Sequence, residues 1–278
     1  MYFTYVNHLG EFLNFYGDSP YILIEHGFTN WQIAYSVTQN RTSGYKFEAK
    51  EIPFTIRIMP RRIKGKDRPQ AFSELINRFA EVVSADMEQP GRLYAKSGEY
   101  LEGRIILSEK SEWNVDKSVT LRCSLLCDNP VWQYPNVNHC KYDSENSYKY
   151  LDYPYGYPHD YAASLKGYTT IKNASTEAAD YILVIHGPCT SPVIALNGVK
   201  VGANVTLGSN DRLIINSADK TVLRQTANVS ANEFNSRYKG ETSMFTKLQP
   251  GPVSAIWSGG FEFDITILER RREPQWMI

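Results

Sequence analysis

The chain has no excess charge, no long apolar run and no recognisable leader. Its 278 residues include 30 lysines and arginines against 30 aspartates and glutamates, so the formal net charge is zero. A dedicated nucleic-acid binder needs cationic excess to displace counterions, which argues against that class. No run approaches the ~18 apolar residues that a membrane span needs. The first residues lack a basic stretch followed by an apolar core, so we expect a soluble protein made in a cytosol.

The sequence also lacks the local motifs of catalysis and cofactor binding. It contains no G-x-S-x-G elbow, P-loop, Rossmann glycine pattern or H-E-x-x-H helix. The histidines are scattered, and His186, beside Gly187-Pro188, is most simply a turn residue. His159 and His186 leave a hydrolase as an open alternative, which loss of an activity on their mutation would reveal. We predict no catalytic residue, no enzyme activity and no cofactor.

Cysteine is scarce, and its arrangement does not favour a metal or a disulfide framework. The four cysteines are Cys123, Cys127, Cys140 and Cys189. Leu121, Cys123, Leu125 and Cys127 alternate as on one face of a strand. The two thiols would then lie ~13 Å apart, whereas a Zn–S bond is ~2.3 Å. We predict buried, hydrophobic thiols and no metal site.

The most regular pattern lies near the end of the chain. Phe261, Phe263, Ile265 and Ile267 alternate with polar residues after a Gly259-Gly260 turn. This predicts a closing strand with one buried face, whose register is firmly set. Val253–Trp257 reads as its hairpin partner.

Residues 1 to about 130 predict an α+β domain, a mostly antiparallel sheet or split barrel with one helix. The helix spans Pro69 to Val83, because apolar residues recur there at three- and four-residue intervals. The apolar stripe comprises Phe72, Leu75, Ile76, Phe79 and Val83. The predicted strands are Tyr2–Val6, Tyr21–Glu25, Phe54–Ile58, Arg92–Ala95, Tyr100–Leu107 and Ser118–Cys127.

A long hairpin or arm is predicted between Trp31 and Glu48. We expect it to be too long for a tight turn and to need a surface to lie on. Basic residues between Arg57 and Arg68 follow the next strand and form either a solvated loop or a surface for an acidic partner or a pore. We predict that oligomer or partner contacts are made by Trp31, Tyr35, Tyr45, Arg61 and Arg62. The other basic run, Arg270-Arg271-Arg272, is read as a solvated tail.

Residues 131 to 163 differ in character from both flanks. Eight tyrosines alternate irregularly with proline, asparagine and aspartate, and no period of 2 or 3.6 survives. We predict a linker here. Its tyrosines either contact a partner chain or a sugar, or pack on the flanking domains.

Residues 164 to 278 predict an all-β sandwich. Short strands come at regular spacing from Tyr168 onward, and Asn197-Gly198 between two of them is a strong hairpin signal. The fold class is therefore mostly β, with an N-terminal α+β domain and a C-terminal sandwich.

In order and spacing, these features resemble the distal tail proteins of siphophages, over nearly the whole chain. In the first half the match covers the helix, the hairpin after it and the strand ending at Asp128–Trp132. In the second half it rests on Ile171–Ser175, Tyr181–Pro188, Ser191–Ile194, Leu213–Lys220, Leu248–Gly251, Phe261–Ile267 and Glu269–Arg271.

The resemblance implies a structural virion protein at the tail tip, assembled in the host cytoplasm. Members of this family form a hexameric ring through the N-terminal domain, with a galectin-like sandwich outside. The ring joins the tail tube protein to the tail-tip hub, a tail-associated lysin or fibre protein, and a receptor-binding protein is a further conceivable partner. No membrane or sequence-specific nucleic acid is implied, although DNA could pass through the ring. The competing hypothesis is a carbohydrate-binding sandwich, with the linker tyrosines or Trp257 as the stacking platform.

Overall fold

The computed structural model describes residues 2–59, 68–114, 118–141, 167–227 and 229–275, and it divides into two compact units. One comprises Met1–Tyr134 with Arg271–Ile278, and the other Pro135–Arg270. The described residues are mostly antiparallel β-structure with one α-helix, which confirms the predicted class. The sequence had assigned everything after residue 164 to the C-terminal domain, whereas the last residues group with the first unit.

The first unit is built on two antiparallel sheets that share one long strand. Its strands are β1 (Phe3–Val6), β2 (Phe12–Asn14), β3 (Tyr21–His26), β4 (Ala34–Thr38), β5 (Arg41–Lys46), β6 (Lys50–Ile58), β7 (Gly91–Ala95), β8 (Tyr100–Asn114), β9 (Ser118–Cys127) and the start of β10 (Trp132–Cys140). The strand orders are β2-β1-β7-β8 and β3-β6-β9-β8.

Strand β8 changes partner at Gly103. Residues up to Gly103 pair with β7, and the pairing with β9 begins at Arg104. A Cβ at Gly103 would lie 2.8 Å from the Leu126 carbonyl oxygen and 2.9 Å from the Cys127 sulfur. The crossing of the two sheets therefore requires a residue without a side chain at this position.

The helix lies where the sequence predicted it. α1 spans Arg68–Ser84, and Phe72, Leu75 and Phe79 are buried in the core of the first unit. Ile76 and Val83 are half-buried and pack against that core, and Val82, which the predicted stripe did not include, is fully buried. Tyr21 donates a hydrogen bond to the Leu75 carbonyl oxygen at 2.8 Å, which fixes the helix against the sheet. Burial raises the pKa of Tyr21 to about 12.

The second unit is a sandwich of two antiparallel sheets around one core. Its further strands are β11 (Gly167–Asn173), β12 (Asp180–His186), β13 (Cys189–Thr190), β14 (Val193–Leu196), β15 (Val199–Gly202), β16 (Thr206–Leu207), β17 (Arg212–Asn216), β18 (Thr221–Gln225), β19 (Ser230–Asn232), β20 (Gly251–Trp257) and β21 (Phe263–Arg271). One sheet has the order β19-β18-β17-β12-β21-β10, the other β11-β20-β14-β15. Asn197 and Gly198 both have positive φ between β14 and β15, which confirms the predicted hairpin.

The closing strand β21 is confirmed, but its predicted hairpin with β20 is wrong. Phe263, Ile265 and Ile267 are fully buried. β21 pairs with β12, whereas β20 pairs with β11 and β14 in the opposite sheet. Stacked sheets lie ~10 Å apart, a distance that the residues between β20 and β21 can span. Trp257 is 4% exposed and contacts the Phe263 ring edge-on, so its ring is not accessible as the stacking platform of the competing hypothesis.

The predicted linker begins with a strand. Trp132–Cys140 forms β10, although the sequence had suggested irregular structure from residue 131. The pattern misled because its buried positions lie at the ends, at Trp132 and Cys140, with half-buried or exposed side chains between them. The remaining tyrosines of the predicted linker, from residue 142 onward, lie outside the described residues.

A histidine–aspartate–histidine contact joins three strands of the second unit. Asp264 on β21 lies 2.6 Å from His139 Nδ1 on β10 and 2.9 Å from His186 Nε2 on β12. Partial burial opposes ionisation of Asp264, but the hydrogen bonds from His186 and His139 outweigh it, so the pKa of Asp264 is lowered. The prediction that His186 is only a turn residue is thus wrong, since its ring has a specific partner.

We predict that Ile265→Asp unfolds the second unit. The substitution places an unpaired carboxylate in a fully buried position, which costs several kcal/mol against a total domain stability of about 5–15 kcal/mol. Hydrogen exchange should show lost protection in β12 and β17 and retained protection in β6 and β9. Thr266→Asp is the matched control, because Thr266 lies on the opposite, half-buried face. Equal protection in both variants would contradict the register of β21.

The cysteines predict a second measurement. Cys123 and Cys127 lie on one buried face of β9, as expected, and burial raises the pKa of each thiol to about 12. Both should therefore react slowly with thiol reagents in the native protein. Titration of denatured, unreduced protein should find all four thiols free, and elemental analysis should find no stoichiometric zinc. A bound metal would overturn the strand geometry of β9.

The Asp264 contact predicts a pH-dependent stability. A carboxyl group with a lowered folded-state pKa stabilises the native state above its ordinary pKa of 3.8 and loses this effect as the pH falls through the folded value. Denaturant unfolding of the wild type and of Asp264→Asn, between about pH 5 and pH 2, should therefore show a difference that shrinks at the acid end. Asp211→Asn is a control on a loop of the same unit. A difference independent of pH would rule out the ionic contribution.

Candidate functional site: an exposed hairpin arm

Strands β4 and β5 form a two-stranded sheet of their own, which we call the arm. Thr38 pairs with Arg41, and Gln39 and Asn40 between them both have positive φ, as in a type I′ turn. The arm is thus confirmed, but the expectation that its connection is too long for a tight turn is wrong. Neither central residue is glycine, so the usual sequence signal of such a turn is weak here.

One face of the arm is apolar. Tyr35 and Val37 alternate on β4 and share a face. Val37 is opposite Thr42 on β5, and the Thr42 hydroxyl lies 2.8 Å from the Tyr45 hydroxyl, which brings Tyr45 to the same face. The register shifts near Gly44, whose φ is positive, and this irregularity accounts for the unusual spacing of Thr42 and Tyr45.

These side chains are not covered by the rest of the described chain. Tyr35 is 61% exposed, Val37 61% and Tyr45 65%. The opposite face carries Ser36, whose hydroxyl donates to the Ser43 carbonyl oxygen at 2.9 Å. An isolated two-stranded hairpin is marginally stable in water and gains stability from a further apolar surface. Contiguous exposed apolar groups of this kind mark interaction sites.

The base of the arm is held by the last described residues of the same unit. Trp31 donates its indole N–H to Glu273 at 2.9 Å, and the Arg272 guanidinium lies 4.9 Å from the centre of the Trp31 ring. Arg271 forms an ion pair at 3.1 Å with Glu99, which is 1% exposed on its side chain. The prediction of a solvated basic tail is therefore wrong for Arg271, whereas Arg272 is exposed as predicted.

The predicted interface residues divide into three groups. Tyr35 and Tyr45 share the exposed face of the arm, while Trp31 lies before β4 and contacts the chain's own terminal residues. Arg61 and Arg62 lie outside the described residues. Sequence reasoning missed Val37, although its alternation with Tyr35 could have shown it, and missed Glu273, for which no local signal exists.

Neither a metal centre nor a membrane helix is found in the part of the chain that the structure describes. Its histidines, cysteines and carboxylates form no group of three or more that could hold a metal ion. No described helix has the length and apolar character needed to cross a membrane.

The chain resembles solved structures of phage tail components. A chain of the phage P2 baseplate in its activated conformation with Ca matches at 12% identity and TM-score 0.65, covering 98% of this chain and 99% of that one. The same baseplate with Sr gives the same values. The SPP1 Dit protein, described as a paradigm of the hub adsorption apparatus in phages that infect Gram-positive hosts, matches at 9% identity and TM-score 0.57, covering 97% and 99%.

Sequence comparison adds no closer relationship: no protein-family model matches the chain, and no curated protein matches it. At 9% to 12% identity, the structural likeness speaks to the fold alone. It extends over nearly the full length of both chains in each comparison. The chain therefore has the fold of phage baseplate and Dit hub proteins, in agreement with the resemblance seen in its sequence.

Proposed function

We propose that the protein is a structural component of a phage tail tip, where copies of it form a ring between the tail tube and the hub. The observation that carries this proposal is the near-complete likeness to baseplate and hub chains, at 97% to 98% coverage of this chain. The role is non-enzymatic. The ring is hexameric in the family that the sequence resembles, and we propose the same number of copies here.

The arm supports assembly with further copies of the chain. In a head-to-tail ring, each copy presents one surface to its neighbour and receives another, and the ring closes when the rotation permits. The exposed face of Tyr35, Val37 and Tyr45 fits such a contact, because aromatic side chains dominate the energy of interfaces. Because the formal net charge is zero, electrostatic repulsion between copies does little to oppose self-association.

We place ring formation in the first unit, which holds the arm. Arg61 and Arg62 then line the pore or meet the tube above it, and DNA passes through the centre. The second unit is a galectin-like sandwich outside the ring. The partners are the tail tube protein and the tail-tip hub, with a receptor-binding protein as a further one, and the protein resides in the virion after assembly in the bacterial cytoplasm.

The arm provides a direct test. The full chain should form a species of about six copies in light scattering, and the triple variant Tyr35→Ser, Val37→Ser, Tyr45→Ser should form a smaller one. Each substitution removes apolar surface that the contact between copies would bury, and burial of such surface contributes about 25 cal/mol per Å². None of the three side chains belongs to the core of the unit. The variant should therefore remain folded and melt in a cooperative transition.

The matched control is Tyr168→Ser, which removes an equally exposed tyrosine, at 65%, from the second unit. It should leave the mass unchanged. A wild-type protein that is monomeric at high concentration, and that is absent from tail tips of the parent virus in electron microscopy, would contradict the proposal. A ring that forms equally well without the three arm side chains would retain the role but exclude the arm from the contact.

A further inference from the structure

The sheet β2-β1-β7-β8 carries a second feature on its outer face. Along β1, Phe3 and Tyr5 point into the core and are fully buried, so Tyr2 and Thr4 point the other way. Together with Tyr16 and Tyr94 they line an open cleft of about 550 Å³. This size lies within the usual range of small-molecule sites, about 300–1,000 Å³.

The cleft walls combine aromatic rings with hydroxyl groups. Tyr2 and Tyr16 meet edge to face at 5.1 Å between ring centres, and they are 45% and 43% exposed. Tyr94 lies 5.6 Å from the Tyr100 ring, which supports it from the side. The Thr4 hydroxyl donates to Asn14 Oδ1 at 3.0 Å and retains its oxygen lone pairs as acceptors. Tyrosine offers an apolar face and a polar edge in one side chain.

One of the lining residues, Lys96, carries a positive charge. The Lys96 ammonium is 5.1 Å from the centre of the Tyr2 ring. The carboxylates nearest to it along the hairpin are engaged elsewhere, since Glu99 pairs with Arg271 at 3.1 Å and Glu102 with Arg92 at 3.0 Å. Asp18 follows Gly17 in sequence but does not line the cleft. The described lining residues thus carry positive charge and no carboxylate.

We propose that this cleft binds a saccharide that bears an anionic group. A sugar ring presents apolar C–H faces to tyrosine rings and hydroxyls to tyrosine and threonine oxygens, which matches the mixed walls. The ammonium of Lys96 attracts a phosphate or carboxylate on that sugar. The site lies in the first unit, apart from the sandwich in which the sequence had suggested sugar binding, and it does not depend on ring formation.

The experiment uses the full-length protein and separates the contribution of sugar stacking on the tyrosine rings from that of the Lys96 charge. Calorimetry should compare glucose 1-phosphate, N-acetylglucosamine 1-phosphate and glucuronic acid with glucose, N-acetylglucosamine and inorganic phosphate. At least one anionic sugar should bind about ten-fold tighter than its neutral parent and than phosphate. Tyr16→Ala should weaken that sugar about ten-fold, and Lys96→Gln should reduce it to the affinity of the neutral parent.

Tyr168→Ala is the matched control and should bind like the wild type. The melting temperatures of Tyr16→Ala and Lys96→Gln should match the wild type, since both side chains lie outside the core. The proposal is overturned if none of the three anionic sugars exceeds its controls, or if neither cleft variant changes the affinity. It is equally overturned if the cleft variants alter only the mass of the assembly, because the cleft is then a protein contact.

Discussion

A two-stranded hairpin cannot cover its own apolar face, and the proposed assembly follows from that limit. Tyr35, Val37 and Tyr45 lie on one side of the arm and are more than half exposed. The hydrogen bonds between β4 and β5 pair the two strands but leave these side chains in water. A protein with no net charge and such a face has little to prevent association with a complementary surface. The turn at Gln39-Asn40 presents this face at a defined register, which a flexible loop could not do.

The arm in turn depends on the far end of the chain. Trp31 at its base is contacted by Arg272 and Glu273, and Arg271 neutralises the buried Glu99. Glu99 lies in the hairpin between β7 and β8, so the terminal residues connect the arm's base to the core sheet of the same unit. A fragment ending near residue 130 would leave Glu99 buried without its cation, which is costly. The first unit is therefore not a contiguous segment, and removal of its last residues should weaken it.

Local patterns predicted elements well and their partners poorly. The alternation of β21 and β9 and the stripe of α1 were visible because burial imposes a period of 2 or 3.6 on each element separately. The pairing of β20 with β11 and β14 was not visible, because a short loop after Trp257 serves a tight hairpin or a crossing between sheets equally well. The contacts of Glu273 with Trp31 and of His139 with Asp264 join residues more than 100 positions apart. No periodicity encodes such pairs, and they are what defines the arm's base and the sandwich edge.

The chain matches these structures over nearly its full length, although only about a tenth of the aligned residues are identical. This combination indicates how little of the sequence the fold itself prescribes. Inward positions need apolar volume and outward positions need to tolerate water, and many residues meet either demand. Specific residues are needed only where geometry is tight, as at Gly103, where a side chain would collide with the neighbouring strand. The outward positions are therefore free to carry side chains that form interaction surfaces specific to this chain. The arm face and the tyrosine cleft both lie at such positions, so the contacts that we propose for this chain depend on them rather than on the core.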